Sequence, residues 1–375
     1  MSLPAGIAEA VFWASFAFVA YVYAGYPLLV AAWSRLARRP VARGDWEPAV
    51  TLVIAAYNER DTIAGKIDNC LGLDYPADRL EIVVSLDGST DGTGEVLEER
   101  LRRDGCAAVR VIASRRHEGK AAALNRAVEA SRGEVLVFCD ARQRVEPGAV
   151  RELVADLRDP SVGAVTGELM LLDDDEHEAA DGVGLYWRYE KALRAMESRI
   201  HSTLGATGAL YAIRRELFRP IPESAILDDV IVPMGAVLAG KRTVFEPRAR
   251  AHDRVCPPEQ EFRRKVRTLA GNFQLVALMP QLLVPGRNPV FLQFLSHKIG
   301  RLLVPHFLVL LFASNLLLRE GFYLVFLVCQ CSFYLLAGAG ALVSKGLGKG
   351  AEPAPARAGA GVGSGAPALR GGNRS

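Results

Sequence analysis

Between Gly44 and Pro285 apolar runs and polar turns alternate at short, regular spacing. Ala49–Ala55, Leu80–Leu86, Ala108–Ala113 and Glu134–Phe138 are continuous apolar or near-apolar runs, the pattern of strands buried on both faces. Between them lie helical patterns. Ile63, Ile67 and Leu71 share one face, as do Val96, Leu97 and Leu101, and a further helix runs through Leu124, Asn125 and Val128. The alternation predicts an α/β fold with a parallel, doubly wound sheet. After the fourth strand, Pro147 and the apolar Val150, Leu153, Val154 and Leu157 predict another helix. The pattern then loosens. Val162–Leu171 is strand-like, Asp173–Glu176 is a solvated acidic loop, and Gly184–Ile200 is helical. A small-residue loop, Gly205–Ala209, leads into a strand at Leu210–Ile213. Asp228 and Asp229 open a helix ending near Gly240, and Thr243–Phe245 is a short strand.

Both ends of the chain are different. Ala10–Trp33 and Phe322–Val343 are uncharged and long enough to cross a bilayer, and Leu302–Leu318 is a shorter third candidate containing His306 and Asn315. Ahead of it, Phe291, Leu292, Leu295 and Ile299 share one helical face, opposite Gln293, His297, Lys298 and Arg301. That predicts a helix lying in the membrane interface, with a buried soluble helix as the alternative. Arg35, Arg38, Arg39 and Arg43 follow the first span, whose other flank holds only Glu9. The positive-inside rule therefore puts the region after it in the cytoplasm, as expected of a multi-pass protein of the plasma (inner) membrane with a retained anchor. Beyond Gly346 the Ala-, Gly- and Pro-rich tail is expected to be disordered.

Half the chain is hydrophobic, chiefly because of these terminal segments. A net charge of +3 makes no case for nucleic acid. Six cysteines without metal or redox spacing are expected to be reduced thiols.

In an open α/β sheet, ligands bind beyond the carboxyl ends of the strands. Asp87, Lys120 and Asp140 fall at such ends, and Asp228 and Asp229 follow later. There is no G-x-G-x-x-G after the first strand, and Gly119-Lys120 lacks the spacing of a phosphate-cradling loop. A lysine with carboxylates suits a diphosphate held through Mg²⁺ or Mn²⁺. A leaving diphosphate gains charge as its bond breaks, so a cation there favours the transition state, while an attacking hydroxyl needs a carboxylate base.

Residues 48–275 resemble an inverting family-2 glycosyltransferase of GT-A (Rossmann-like) fold, in the membrane-integrated branch that includes cellulose, hyaluronan and poly-N-acetylglucosamine synthases. The resemblance rests on Ala56-Tyr57-Asn58-Glu59, Asp87-Gly-Ser-Thr-Asp-Gly-Thr, Gly119-Lys120 with Asn125, Asp140-Ala141, Gly205–Gly208, Asp228-Asp229, and Arg264-Lys-Val-Arg267 in that order. It implies that Tyr57, Glu59 and Asp87 hold the nucleoside end of a nucleotide-sugar donor, with Ala56 and Asn125 also at the substrate. Lys120 would meet the diphosphate, Asp140 the metal, and Asp229, beside Asp228, would be the base on the acceptor. Gly205 and Gly208 would shape the acceptor entrance, and Arg264 and Arg267 would close over the diphosphate.

Two departures stand out. Where relatives carry a second Asp this chain has Arg142, and Thr268 stands where an aromatic platform for the acceptor is usual. Both would also suit a catalytically silent homologue that binds nucleotide sugars or partners in a polysaccharide assembly. The expected organisation is 1–43 (anchor and basic flank), 44–285 (GT-A domain), 286–345 (interfacial helix and transmembrane hairpin) and 346–375 (tail). The expected partners are a nucleotide sugar, a glycan or lipid-linked acceptor, the membrane, and a second copy or export partner for any polymer.

Overall fold

A computed structural model of the chain describes residues 5–104, 108–172, 183–256, 258–318 and 320–348. It divides into two units, Met1–Leu318 and Arg319–Ser375. The first holds an eight-stranded sheet of β1 (Val50–Ala56), β2 (Leu80–Asp87), β3 (Val109–Ser114), β4 (Val135–Phe138), β5 (Arg144–Val145), β6 (Val162–Leu172), β7 (Tyr211–Arg214) and β8 (Arg242–Arg254), in the order β3-β2-β1-β4-β7-β6-β8-β5. Strands β3, β2, β1 and β4 are parallel, as their unbroken apolar runs predict. From there the sheet departs from the expected all-parallel form. Strand β7 runs antiparallel to both β4 and β6, and β5 runs antiparallel to β8. The sheet is therefore mixed. The interior of the parallel half is fully buried, with Val53, Ile54, Val83, Val84, Leu136 and Val137 wholly inaccessible. Each such side chain contributes about 1.5–3 kcal/mol.

Strand β8 is far longer than the expected Thr243–Phe245. Its pairing with β6 slips between Thr166 and Glu168, and Pro247 sits in that irregularity. A proline in a strand is tolerated at such a bulge. Beyond it Ala249 and Ala251 face the core while Arg248, Arg250 and Arg254 point outward.

The first apolar stretch, Gly6–Leu36, is long and apolar enough to cross a membrane. It consists of α1 (Ala5–Ala20), a π turn at Tyr21–Gly25, and α2 (Tyr26–Leu36). The parallel strands are connected by α3 (Ile63–Leu71), α4 (Thr93–Asp104) and α5 (Lys120–Ala130), followed by α6 (Ala149–Leu157). Then come α7 (Val183–Ile200), α8 (Asp228–Leu238) and α9 (Pro258–Leu278).

The second membrane-length helix, Phe291–Asn315, joins α10 (Phe291–Gln293), a π turn at Phe294–Ile299, and α11 (Gly300–Asn315) without a break. The separate interfacial helix expected over Val290–Arg301 is thus the first part of this run. Its polar face is docked on protein. His297 Nδ1 lies 2.7 Å from Glu197 Oε1, and Arg301 pairs with Glu190 at 2.6 Å, both carboxylates being on α7. Tyr26 of α2 donates to the same Glu197 oxygen at 2.6 Å. The two π turns also meet, with the Tyr21 and Ser296 hydroxyls 2.8 Å apart.

In the second unit the described part is α12 (Phe322–Gly348), of which Phe322–Gly340 is a third membrane-length segment. The expected acidic loop at Asp173–Glu176 and the tail from 349 onward lie outside the described residues.

Candidate active site

The loops after β1 and β2 are zipped together by side chains. Asn58, in the left-handed region at φ 53°, accepts from the Thr90 amide at 2.9 Å, while Ser89 Oγ accepts from the Asn58 amide at 3.0 Å. Thr93 Oγ1 accepts from the Glu59 amide at 2.9 Å. Glu59 itself takes the Thr62 hydroxyl at 2.5 Å. Beside this seam Tyr57 is exposed and stacks on His117, ring centroids 3.8 Å apart.

Asp87 closes β2 and is buried. It accepts the amides of Glu118 at 3.1 Å and Gly119 at 2.8 Å, and the guanidinium of Arg126 at 2.8 Å. Burial pushes its carboxyl up, but those amides and Arg126 win and hold it below the usual carboxylate value. Gly119 adopts φ 97°, a conformation that favours glycine, and so presents its amide to Asp87. This anchors the start of α5, whose first residue is Lys120.

From there Lys120 Nζ reaches Asp140 Oδ1 at 2.8 Å and Asp228 Oδ2 at 3.2 Å. Asp140 stands two residues past the end of β4, whose Cys139 amide still bonds to Val53 of β1 at 3.3 Å. Asp228 and Asp229 open α8, where the helix dipole favours anions. The Asp229 carbonyl accepts the Ala206 amide at 2.7 Å, which ties the Gly205–Gly208 loop to α8. At Gly205, φ 139°, a side chain would press on Val230 at 3.0 Å.

Gly208 is where these groups converge. A Cβ at Gly208 would lie 3.5 Å from Asp229 Oδ2, 3.6 Å from Asp140 Oδ2 and 3.7 Å from Lys120 Nζ. Burial and the neighbouring Asp228 push the Asp229 carboxyl up to about 6, with Lys120 and Lys298 acting against the rise. A carboxylate near that value is matched to proton transfer around neutral pH. Among the described residues no group of three or more His, Cys, Asp and Glu is arranged to hold a metal by itself. Asp140, whose Oδ2 faces the space over Gly208, fits the small share a protein gives Mg²⁺ or Mn²⁺ when phosphates complete the shell.

Other positions singled out in the sequence are employed differently. Asn125 donates to the Ile221 carbonyl and accepts its amide, both at 2.8 Å. Arg142 is turned to Asp253 of β8 at 2.6 Å, an oxygen it shares with Gln143 at 2.9 Å. Arg264 pairs with Glu261 on its own helix at 2.6 Å, and Arg267 is exposed on the same helix. Tyr211 was not foreseen. It is buried beneath the carboxylates and stacked on Phe138 at 4.7 Å, and its hydroxyl has no hydrogen-bond partner among the described residues. Burial first, then Asp228, Asp229 and Asp140, hold that hydroxyl firmly protonated. Nothing in the apolar run Leu210–Ile213 distinguishes it from a core tyrosine.

A mixed sheet with acidic groups beyond the ends of its parallel half defines a GT-A glycosyltransferase fold. Residues 51–221 match the family described as Glycosyl transferase family 2, and the chain carries a domain of that family. Over 128 residues it is 35% identical to the "Probable glycosyltransferase YdaM" of Bacillus subtilis (strain 168), a match covering 34% of this chain and 30% of that protein. Over 133 residues it is 32% identical to the poly-beta-1,6-N-acetyl-D-glucosamine synthase of Staphylococcus aureus (strain MSSA476), covering 35% and 31%. The chain thus spans less than a third of the length of these curated relatives. A solved structure of similar fold is the mannosyltransferase PcManGT from Pyrobaculum calidifontis in complex with GDP-Man and Mn²⁺. It has a TM-score of 0.67 and 24% identity, covering 89% of this chain and 92% of that one.

Proposed function

We propose that the chain transfers a sugar from a nucleotide-diphosphate sugar to an acceptor hydroxyl, with inversion, at the cytoplasmic face of the plasma membrane. The observation that carries this is the convergence of Lys120, Asp140 and Asp229 on the space over Gly208. The donor's nucleoside end lies along Tyr57, Glu59 and the Asp87 loop, which puts its diphosphate against Lys120. A Mg²⁺ or Mn²⁺ ion on Asp140 supplies further charge neutralisation when bound. Asp229 takes the proton of the acceptor hydroxyl as its oxygen bonds to the anomeric carbon. The bond to the diphosphate breaks on the opposite face, and the nucleoside diphosphate departs with the electron pair. A single displacement of this kind inverts the anomeric centre.

Arg142, held by Asp253, stands apart from this transfer. The orientation rests on Arg35, Arg38 and Arg39 after the first span. The acceptor is a glycan or a lipid-linked sugar close to the bilayer. Export of a polymer would need a second copy or another protein, because sugar hydroxyls cannot cross hydrocarbon without polar partners. Labelled donor and a membrane extract test the reaction. The expected product has the anomeric configuration opposite to the donor's; a product of retained configuration contradicts the single displacement.

A further inference from the structure

Tyr57 and Asp87, which the proposed donor placement gives to the nucleoside, are both engaged by one side chain of this molecule. The His117 ring stacks on Tyr57 with centroids 3.8 Å apart and planes 24° from parallel. Its Nδ1 lies 2.9 Å from Asp87 Oδ2 and 3.3 Å from the Asp87 carbonyl oxygen. Both oxygens are acceptors, so Nδ1 carries the proton. A flat ring on the tyrosine, with a ring N–H turned to the carboxylate, is also what uracil or guanine offers. His117 thus makes, from within the chain, the two contacts a donor's base would make.

Ring and base cannot be there together. A base between Tyr57 and His117 needs their rings about 7 Å apart, twice the contact distance. The loop cannot simply recede to make that gap. It is seated on Gly88, at φ 69°, where a Cβ would lie 2.5 Å from both the Arg116 carbonyl carbon and the His117 amide nitrogen. The next two amides, of Glu118 and Gly119, are fixed on the Asp87 carboxylate. With its backbone held on both sides, His117 can leave only by turning its side chain, which is 51% exposed and has solvent to turn into. Asp87 then keeps Glu118 and Arg126 on Oδ1 and Gly119 on Oδ2, and one acceptor position on Oδ2 is freed for a ring N–H.

We propose that His117 is a plug for the nucleobase subsite, and that a donor binds only as the ring swings off Tyr57 and Asp87. The proposal rests on placing the donor's nucleoside end along those two residues. A subsite closed about nine-tenths of the time raises the apparent Kd about tenfold, whatever sugar the donor carries.

Calorimetry on the full-length protein with Mn²⁺ tests this, with UDP and GDP as probes. H117A should bind one or both about tenfold more tightly than wild type, and the nucleotide that shows the gain identifies the base. Inorganic pyrophosphate, which has no base, should bind the two proteins within about twofold of each other. In a Y57A background the removal of His117 should bring a much smaller gain, because the base has lost its own platform. Equal or weaker binding of both nucleotides by H117A overturns the proposal, since His117 would then stand clear of the base or form its second wall. A gain as large for pyrophosphate, or as large without Tyr57, overturns it as well. Binding of neither nucleotide by either protein overturns the nucleoside placement together with the plug. Tighter binding by H117A in a chain that transfers no sugar upholds the plug and counts only against the transfer reaction.

Discussion

The side-chain amide of Asn125 closes both backbone hydrogen bonds of Ile221, donating to its carbonyl and accepting from its amide at 2.8 Å each. The pair joins α5, which carries Lys120, to the segment that leads into α8. Asn125→Ala should therefore cost about 1–3 kcal/mol of stability, as backbone groups lose partners, with little change in donor affinity once folded. Denaturant unfolding alongside calorimetric donor titration checks this. A large loss of affinity at unchanged stability would place Asn125 on the donor instead.

Gly208 tests the convergence without removing a charge. A methyl there would be in ordinary contact, at 3.5–3.7 Å, with the Asp229, Asp140 and Lys120 groups. Gly208→Ala should melt within a few degrees of wild type and lose transfer by about 100-fold, the scale at which a small displacement of reacting groups is felt. Thermal melts and initial rates decide it, and a fully active variant would mean the space is not used.

Asp229 links pH to both activity and stability. Its carboxyl is raised from 3.8 to about 6, so below pH 6 it is protonated and cannot accept the acceptor's proton. The acidic limb of kcat/KM should have its midpoint near 6 and fall tenfold per unit below it. The stability sign is opposite. A raised carboxyl pKa contributes stability that is present below about 4 and lost as pH rises through 6. Asp229→Asn should then melt higher than wild type at pH 7.5, by about 2–4 °C for each kcal/mol released, and the gain should vanish near pH 4. Equal melting at both pH values would remove the explanation by burial and the neighbouring Asp228.

Arg43 shows what a charge count misses. Counted with Arg35, Arg38 and Arg39 as a topological signal, it meets Glu152 at 2.5 Å, Asp156 at 2.8 Å and Glu246. Asp156 and Glu246 are buried. Arg43→Ala takes the charged partner from buried Asp156 and leaves Glu246 to Arg248 at 3.0 Å, and should destabilise the domain by about 3 kcal/mol. Urea melts of Arg43→Ala against Arg38→Ala separate this role from topology; equal melts would contradict it.

The parallel half of the sheet was legible because strands buried on both faces carry unbroken apolar runs, and Asp87 and Asp140 stand at the ends of two of them. The mixed half was not. Beyond Phe245 the only apolar residues β8 buries are Ala249 and Ala251, set among arginines and the buried acids Glu246 and Asp253, which leaves no apolar run to read. The face of His297 and Arg301 looked like a headgroup-facing surface because its partners, Glu197 and Glu190, lie about a hundred residues away in sequence. Periodicity reports a polar face but not what covers it. Asn125 and Arg142 were visible as candidates, yet their use depends on Ile221 and Asp253, which only the tertiary fold brings near.

The most direct test of the central claim compares Asp229→Asn with Asp140→Asn, using purified full-length protein, a panel of nucleotide sugars and Mn²⁺. Transfer or donor hydrolysis by wild type and donor binding by calorimetry are measured together. The account predicts that Asp229→Asn abolishes transfer while binding the donor nearly as wild type, and that Asp140→Asn loses metal-dependent donor binding itself. Donor affinity lost as severely in Asp229→Asn as in Asp140→Asn, or transfer that persists without Asp229, would contradict it.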